Sequence, residues 1–409
     1  MRSTKTSDEY YFEIGKMHMI KNRTICFIAD GYPSEHQIVN AFVETLVNAI
    51  ADMGIRCVVI SPQSISKVIK NKRKILPYKR TRITPKGNIV VIFTPKYVSA
   101  STKRIGAINT AKITLNNFKR AAHRTFKELN KELVFDAVYG HFIFESGIVA
   151  NYIGKKYEIP AFFAYGENTT YSIEYLGVQA TSKLLDGISG VISVSSENKR
   201  VLLENGIVIS EKIGVFPNSI DSTLFYKRDK IAMREKLGFQ ENAFIVAFVG
   251  RFLEVKGPNR LSKAIEELDD STIHSVFIGE GPLLPDCDNI LHIGTVPHEQ
   301  LGEYLSACDV FVLPTLAEGC CNAIIEAMAC GLPIVSSNLP FNDDILDNNN
   351  AIRVDPNNIV EISNAIIKLK KDHELRNRLS EGAIKTSEEL KIDERAKKIL
   401  SFMGSCTKH

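Results

Sequence analysis

What most constrains this chain is a repeated alternation. Short apolar runs rich in β-branched and aromatic residues are each followed by a segment with helical periodicity. TICFIAD (24–30) leads through IVNAFVETLVNAIADMG to CVVISP (57–62). DAVYGH (136–141), SGIVANYIGKKY and IPAFFAYG (159–166) repeat the order, and GVISVS and KIGVFPN continue it. Strands apolar along their whole length are covered on both faces, and a strand–helix–strand succession builds parallel sheets. After the polar stretch NSIDSTLFYKRDK (218–230) a second set begins: AFIVAFVGR (243–251), HSVFIGEG (274–281), ILHIG (290–294), CDVFVLPT (308–315) and LPIVSS (332–337). Each ends in a Gly, Pro or Ser turn. At 409 residues the chain exceeds one typical core. The pattern therefore predicts an α/β protein of two doubly wound, Rossmann-like domains with a hinge near 218–228. No period of 20 to 50 residues repeats, which argues against a solenoid.

Composition narrows the function classes. With 44% hydrophobic and 24% charged residues the chain is globular. A net charge of +4 is too small to imply a nucleic-acid binder. The 8 cysteines form no CxxC pair and align with no histidine at zinc-finger spacing, so they read as reduced thiols of a cytoplasmic protein. The N-terminal extension 1–22 alternates charged and apolar residues and lacks the apolar core of a signal peptide. No stretch approaches the ~20 apolar residues of a membrane span.

In such sheets ligands bind beyond the carboxyl ends of the strands, and the informative residues fall there. Arg251 and Lys256 lie on the loop after FIVAFVG. Two cations on one such loop can grip a diphosphate, or they are ordinary charges on a solvated loop. After VFVLPT comes EGCCNAIIEAMACGLP (318–333). Here Glu318 sits in the loop, Gly319 permits close approach, and the helix start at Cys320 and Cys321 offers unpaired amides and the positive end of the helix dipole. Glu326, eight residues beyond Glu318, can reach hydroxyls further along the same ligand. An anion site between two hydroxyl-accepting carboxylates suits a sugar nucleotide; the alternative is two solvated helix carboxylates.

Together VFPNSIDSTLF, VGRFLEVKG, FIGEGP and AEGCCNAIIEAMACGLPIVSS, in this order along the chain, resemble the retaining glycosyltransferases of family 4 (glycosyl transferases group 1). The resemblance runs from about residue 24 to 390 and is densest over 213–340. It implies the GT-B fold, two Rossmann-like domains facing each other across a cleft. The N-terminal acceptor-binding domain would span 23–217 and the nucleotide-sugar-binding domain 229–385, with a C-terminal helix over 386–409 packing back on the N-terminal domain. It further implies that Arg251 and Lys256 bind the donor diphosphate, Glu326 the ribose, and Glu318 the transferred sugar. Amides from Gly319 to Asn322 would cradle the distal phosphate, and GTVPHEQL (294–301), with Val296, would lie against the base. No metal or other cofactor is expected. Asp286-Cys287-Asp288 imitates a metal motif of the other glycosyltransferase fold and reads as coincidence.

In the N-terminal half, His141 ends the strand of DAVYGHFIFESG and matches the family segment whose histidine faces the donor sugar; a structural role is the alternative. Where relatives place another histidine, this chain has Tyr165, Gly166 and Glu167. In DGYPSEHQIVNAF the family's double glycine is missing; Gly31 and Glu35 either shape the acceptor pocket or make a turn and helix cap. Residues 67–86 contain many Lys and Arg, no acid, and the apolar Val68, Ile69, Ile75, Leu76 and Tyr78. Such a segment either rests on anionic lipid or is a mobile solvated loop. Nothing like a nucleic-acid recognition fold accompanies it.

The expected function is transfer of a sugar, with retention, from a UDP-sugar or GDP-sugar to an acceptor hydroxyl. The acceptor is read as a glycan or lipid-linked saccharide in surface polysaccharide assembly, reached from the cytoplasmic face of the membrane. Two rivals use the same nucleotide pocket: an epimerase, which needs no acceptor, and a non-catalytic sugar-nucleotide sensor.

Overall fold

The computed structural model describes residues 23–36, 39–100, 104–105, 108–167 and 171–407. The extension 1–22 lies outside them. The chain divides into two compact units. One takes the residues up to Ser193, Lys199–Val215 and the stretch from Ala396; the other takes Val194–Asn198 and Phe216–Arg395.

The first unit is built on an eight-stranded sheet. Its strands are β1 (Thr24–Ile28), β2 (Arg56–Ile60), β3 (Lys79–Ile83), β4 (Ile89–Phe93), β5 (Ala137–His141), β6 (Ala161–Tyr165), β7 (Gly190–Ser193) and β8 (Ile213–Val215), in the order β8-β7-β6-β5-β1-β2-β4-β3. All neighbours are parallel except β3, which pairs antiparallel with β4. Cys26 stands opposite Val58 on one side and Val138 on the other. Every residue of β1, β5 and β6 is buried, which is why these read as continuous apolar runs. Helices α1 (Ala41–Ala51), α2 (Ile65–Lys70), α3 (Thr110–Leu129) and α4 (Ile148–Tyr157) accompany the strands. The chain runs outward from β1 through β2 and β4, then restarts at β5 on the other side. The carboxyl ends of β1 and β5 therefore form the unit's topological switch point.

The second unit repeats this plan with six parallel strands: β9 (Phe244–Val249), β10 (Ile273–Ile278), β11 (Ile290–Gly294), β12 (Val310–Leu313), β13 (Ile334–Ser337) and β14 (Ala351–Val354). Their order is β11-β10-β9-β12-β13-β14, so the switch point lies between β9 and β12. Helices α5 (Pro258–Glu266), α6 (His298–Ala307), α7 (Asn322–Ala329), α8 (Ile359–Lys371) and α9 (His373–Glu389) complete it. Residues 218–228 lie inside this unit, with Ile220 and Phe225 buried and Ile220 bridged to Lys391. Arg395 donates to the carbonyl of Pro217 at 2.6 Å. Helix α10 (Ile392–Cys406) counts with the second unit as far as Arg395 and with the first beyond it. There Leu400 and Met403 line a small cavity with Ile25, Ile55 and Phe162.

Asp309 locks the second switch point from below. Its carboxylate accepts the Ile245 amide at 2.7 Å and pairs with Arg234 at 2.6 Å and Lys230 at 2.7 Å. Arg234 and Asp309 are both buried. Asp309→Ala leaves a buried guanidinium and a buried amide without their acceptor, so it should destabilise the second unit by about 3–5 kcal/mol. Urea unfolding of the purified variant checks this; a loss below about 1 kcal/mol contradicts the assignment.

Candidate active site

The loops beyond β9 and β12 are stitched together by the backbone. Leu316 donates its amide to the Val255 carbonyl at 2.7 Å, the Thr315 hydroxyl reaches the same oxygen at 3.1 Å, and Arg260 donates to the Pro314 carbonyl at 2.9 Å. Gly257, at φ 77°, takes the left-handed conformation that turns the chain into α5, whose first residue is Pro258. Gly279, at φ 154°, lets the next loop lie against the first: a Cβ there would come within 1.9 Å of the Gly250 oxygen.

This framework brings together Lys256 and Glu318, 62 positions apart, as a direct ion pair with both side chains largely buried. Thr315 donates to the same Glu318 oxygen at 3.3 Å. Arg251, on the same loop as Lys256, is exposed at the strand end. Gly319, Cys320 and Cys321 are buried, Asn322 opens α7, and no side chain caps that helix. Its first amides have no partners within the helix. Burial raises the thiol pKa values of both cysteines, Cys320 to about 12, so they are neutral and the backbone is the polar feature of this turn. Asn218 fixes the turn, its amide reaching Cys320 Sγ at 3.3 Å and its side chain donating to the Cys320 carbonyl at 3.0 Å.

Glu326 lies one turn into α7, half-buried, and its Oε1 is 3.3 Å from His298 Nε2 at the start of α6. That hydrogen bond raises the His298 pKa against the opposing effect of burial. His298 also packs its ring edge-on against Phe225 at 5.2 Å. Both residues stood in quoted motifs, but neither was singled out; the helix start at Pro297-His298 was the available signal. Val296 is half-buried against the core on the same segment. Asp286 and Asp288 are exposed in the loop between β10 and β11, and Cys287 is buried between them. Among the described residues no group of three His, Cys, Asp or Glu side chains could hold a metal ion.

In the first unit, His141 ends β5 nearly buried, packed against Phe42 at 5.0 Å and Phe142 at 4.8 Å. Gly31 follows β1 and lines a cavity of about 260 Å³ with Asp30, Ser64, Lys67, Arg73 and Tyr97. Glu35 is exposed in the next turn and does not line it. Tyr165 is buried in the core, and Glu167 is half-buried just beyond β6.

Sequence reasoning missed Glu145. The turn after β5 folds so tightly that a Cβ on Gly140 would lie 2.6 Å from Gly147 Cα. Phe142 (φ 70°) and Glu145 (φ 60°) adopt backbone conformations that side chains other than glycine's rarely take. Glu145 is 3% exposed. Burial, reinforced by the negative charge of Asp30, pushes its pKa up from 4.5 to about 7, with Lys67 opposing. Asp30 is raised too, chiefly by desolvation: its side chain is open to the cavity but surrounded by protein.

Residues 229–386 match the family model described as glycosyl transferases group 1. They belong to that family. The chain is a glycosyltransferase, and its relatives agree. It is 26% identical to a Bacillus subtilis glycosyltransferase, TuaC, whose name assigns it to teichuronic acid biosynthesis, over 84% of this chain and 88% of that one. It is 27% identical to the Escherichia coli UDP-Gal:α-D-GlcNAc-diphosphoundecaprenol α-1,3-galactosyltransferase over 60% and 69%. Sucrose-phosphate synthase from Thermosynechococcus elongatus superposes with a TM-score of 0.71 at 18% identity, covering 94% of this chain and 98% of that one. Anabaena HepE in complex with UDP superposes at 0.68 and 15%, covering 94% and 100%. The glycosyltransferase therefore has the GT-B fold.

Glu145 makes stability depend on pH with a worked sign. Between pH 4.5 and 7 the folded transferase holds a proton that the unfolded chain has released, so stability falls as pH rises through that window. At about 1.4 kcal/mol per unit, Glu145→Gln should be more stable than the parent by roughly 2–3 kcal/mol at pH 8 and near parity at pH 4.5. Chemical denaturation at both pH values decides it; equal stability at pH 8 contradicts the raised pKa.

Proposed function

We propose that this transferase moves a sugar from a nucleoside diphosphate, UDP in the leading case, to a hydroxyl of a lipid-linked saccharide, with retention and without a metal ion. The observation carrying the donor reading is the meeting of Lys256, Glu318 and the uncapped start of α7 at the second switch point, inside the family-matched segment. Lys256 and Arg251 supply charge for the two phosphates and for the leaving group. Glu318, oriented by Lys256 and Thr315, accepts hydroxyls of the transferred sugar. Glu326, held by His298, accepts those of the ribose. UDP is favoured because HepE, of the same fold, has been solved with UDP and with UDP-glucose. The lipid-linked acceptor rests on the galactosyltransferase relative, whose name specifies a diphosphoundecaprenol acceptor. Retention is assigned to a same-face displacement guided by the leaving phosphate. His141 polarises and positions the sugar, and Gly31 belongs to the acceptor-side cavity.

The membrane reading gains a more definite surface. Within 67–86 Val68 is buried, Arg80 donates to the Tyr32 carbonyl, and Arg82 pairs with Glu44 at 3.5 Å. Ile69, Ile75, Tyr78 and Ile83 are exposed, and Ile83 pairs with the equally exposed Ile89 beside the turn carrying Lys86. This turn lies at the sheet edge, where β3 and β4 form a hairpin. We assign these side chains to the interfacial layer of an anionic bilayer, with each nearby cation contributing about 1 kcal/mol. No helix among the described residues is long and apolar enough to cross a membrane.

A panel of UDP- and GDP-sugars, with and without a bacterial membrane lipid extract and with chelator present, tests the donor and acceptor together. Nucleotide release that requires extract and survives chelation is expected, and Glu318→Gln should reduce it by at least about a hundredfold. An altered free sugar nucleotide formed without extract would instead identify an epimerase. Co-sedimentation with vesicles checks the surface: binding to phosphatidylglycerol-containing vesicles should exceed binding to pure phosphatidylcholine, fall with salt, and weaken in the Ile83→Asp/Ile89→Asp double variant. Equal binding to both vesicle types removes the membrane assignment.

A further inference from the structure

The chain's small net charge conceals a division. The first unit holds 33 Lys and Arg against 17 Asp and Glu, the second 18 against 30, so the positive excess belongs wholly to the first. Much of it is gathered on one helix. α3 carries Lys112, Lys119, Arg120, Arg124 and Lys127 with one acid, Glu128, which is taken up by Lys131 at 2.6 Å.

These cations share a side, because positions three, four and seven apart return to the same face of a helix. The opposite side is core: Phe118 packs edge-on against Tyr97 at 5.5 Å and Phe126 against Phe135 at 4.9 Å. The outward side is left to charge, and α4 adds to it. Lys119 of α3 and Lys156 of α4 stand over the same Tyr152 ring, 5.0 and 5.8 Å from its centre. His123, 3.0 Å from the Tyr157 hydroxyl, lies among Lys119, Lys127 and Lys156; burial and these three charges lower its pKa. Neither Lys156 nor any of the five α3 cations is ion-paired among the described residues. Like charges so spaced repel one another, and an anionic partner removes that cost.

Shape and border select the partner. From Lys112 to Lys127 the strip runs about 22 Å along the helix at 1.5 Å per residue, so a planar array of anions meets all of it at once. Ile113 is exposed on the helix itself. Tyr78 and Val98 are exposed beside it, tied to α3 through Thr125 at 3.3 Å and Asn117 at 2.9 Å. Cations bordered by exposed apolar side chains match the headgroup layer of an anionic bilayer. A single-stranded nucleic acid would need open ring faces for stacking, and the ring amid these cations, Tyr152, is already attended by two ammonium groups.

We propose that the outward side of α3, with Lys156 of α4, is the principal lipid-binding face of this transferase and takes the phosphates of anionic phospholipids. This rests on the membrane reading above and names the element and the headgroup chemistry that carry it. The β3–β4 hairpin adds to an attachment that α3 supplies.

Two measurements test this. In the first, the unmodified full-length protein is acetylated with an amine-reactive ester and the rate at each lysine is read by mass spectrometry. Vesicles containing phosphatidylglycerol should slow Lys119, Lys127 and Lys156 at least about fivefold and leave Lys263 and Lys368 of the second unit as they were. Pure phosphatidylcholine vesicles and soluble glycerol 3-phosphate should slow none of them. Unchanged rates at the three lysines overturn the proposal; equal protection by glycerol 3-phosphate replaces the lipid face with a site for soluble phosphates and overturns it too. In the second, vesicle co-sedimentation compares Lys119→Gln/Arg120→Gln/Lys127→Gln/Lys156→Gln with a control of the same net charge, Lys183→Gln/Lys263→Gln/Lys368→Gln/Lys398→Gln. Gln sustains a helix, so both sets should melt with the parent. The α3 set should raise the lipid concentration that binds half the protein at least about tenfold, the control less than about twofold. Equal losses reduce the effect to net charge and overturn the proposal. If the α3 set binds like the parent while Ile83→Asp/Ile89→Asp does not, this inference fails and the hairpin assignment stands. A parent that binds neither vesicle type removes the membrane reading and this inference with it.

Discussion

The candidate donor site depends on an acid at the opposite end of the strands that carry it. Asp309 holds the start of β12 against the start of β9 by accepting the Ile245 amide while neutralised by Arg234 and Lys230. Strands fixed at their amino ends deliver their carboxyl ends side by side, and there Lys256 and Glu318 meet. The first unit uses a milder version. Asp136, just before β5, accepts the Thr24 amide at 2.7 Å and so joins the starts of β5 and β1. Asp136 is exposed and pairs with no buried cation among the described residues, so the first unit's anchor is worth less than the second's. In both units the same local pattern, an Asp followed by an apolar strand, marks the strand across the switch point from the unit's first.

Most strands that read clearly in the sequence are buried along their length, so nothing interrupts their apolar runs; β11 is the exception, a half-buried edge strand. β3, KRTRI, was invisible for the complementary reason: it is a charged, alternating edge strand, and its basic residues read as a loop or a lipid-facing segment. β14, AIRV, was missed because Arg353 interrupts it, bound to Asp343 at 2.6 Å at the sheet's far edge. The residues proposed for the second unit's site come from two continuous motifs, so they could be singled out in the sequence. Glu145 was not, although it stands inside the quoted DAVYGHFIFESG, because its character comes from a backbone turn and from Asp30 more than a hundred positions earlier. Likewise the Glu326–His298 contact joins two helix starts that sequence spacing cannot connect.

The two units handle charge in opposite ways. In the second, the Glu318 carboxylate is paired directly with Lys256, and Arg251 stays exposed on the same loop. In the first, burial and the charge of Asp30 oppose the ionisation of Glu145, and Lys67 compensates only in part. The second arrangement suits an anionic ligand and the first a neutral, hydroxyl-bearing one.

The cysteine pair fits the same logic. A thiol at Cys320 or Cys321 invites reading as a nucleophile, but burial holds both protonated, and a protonated thiol is a weak one. Their small side chains fill the space beneath the turn. Cys320 is tied to Asn218 through both its sulfur and its carbonyl, which fixes the peptide planes and aims the amides of the following residues. An oxyanion or phosphate site made of backbone N–H groups works only when those groups are oriented before the ligand arrives. Asn218 and the buried cysteine thus act as a pair that preorganises the turn, and chemistry at sulfur has no part in it.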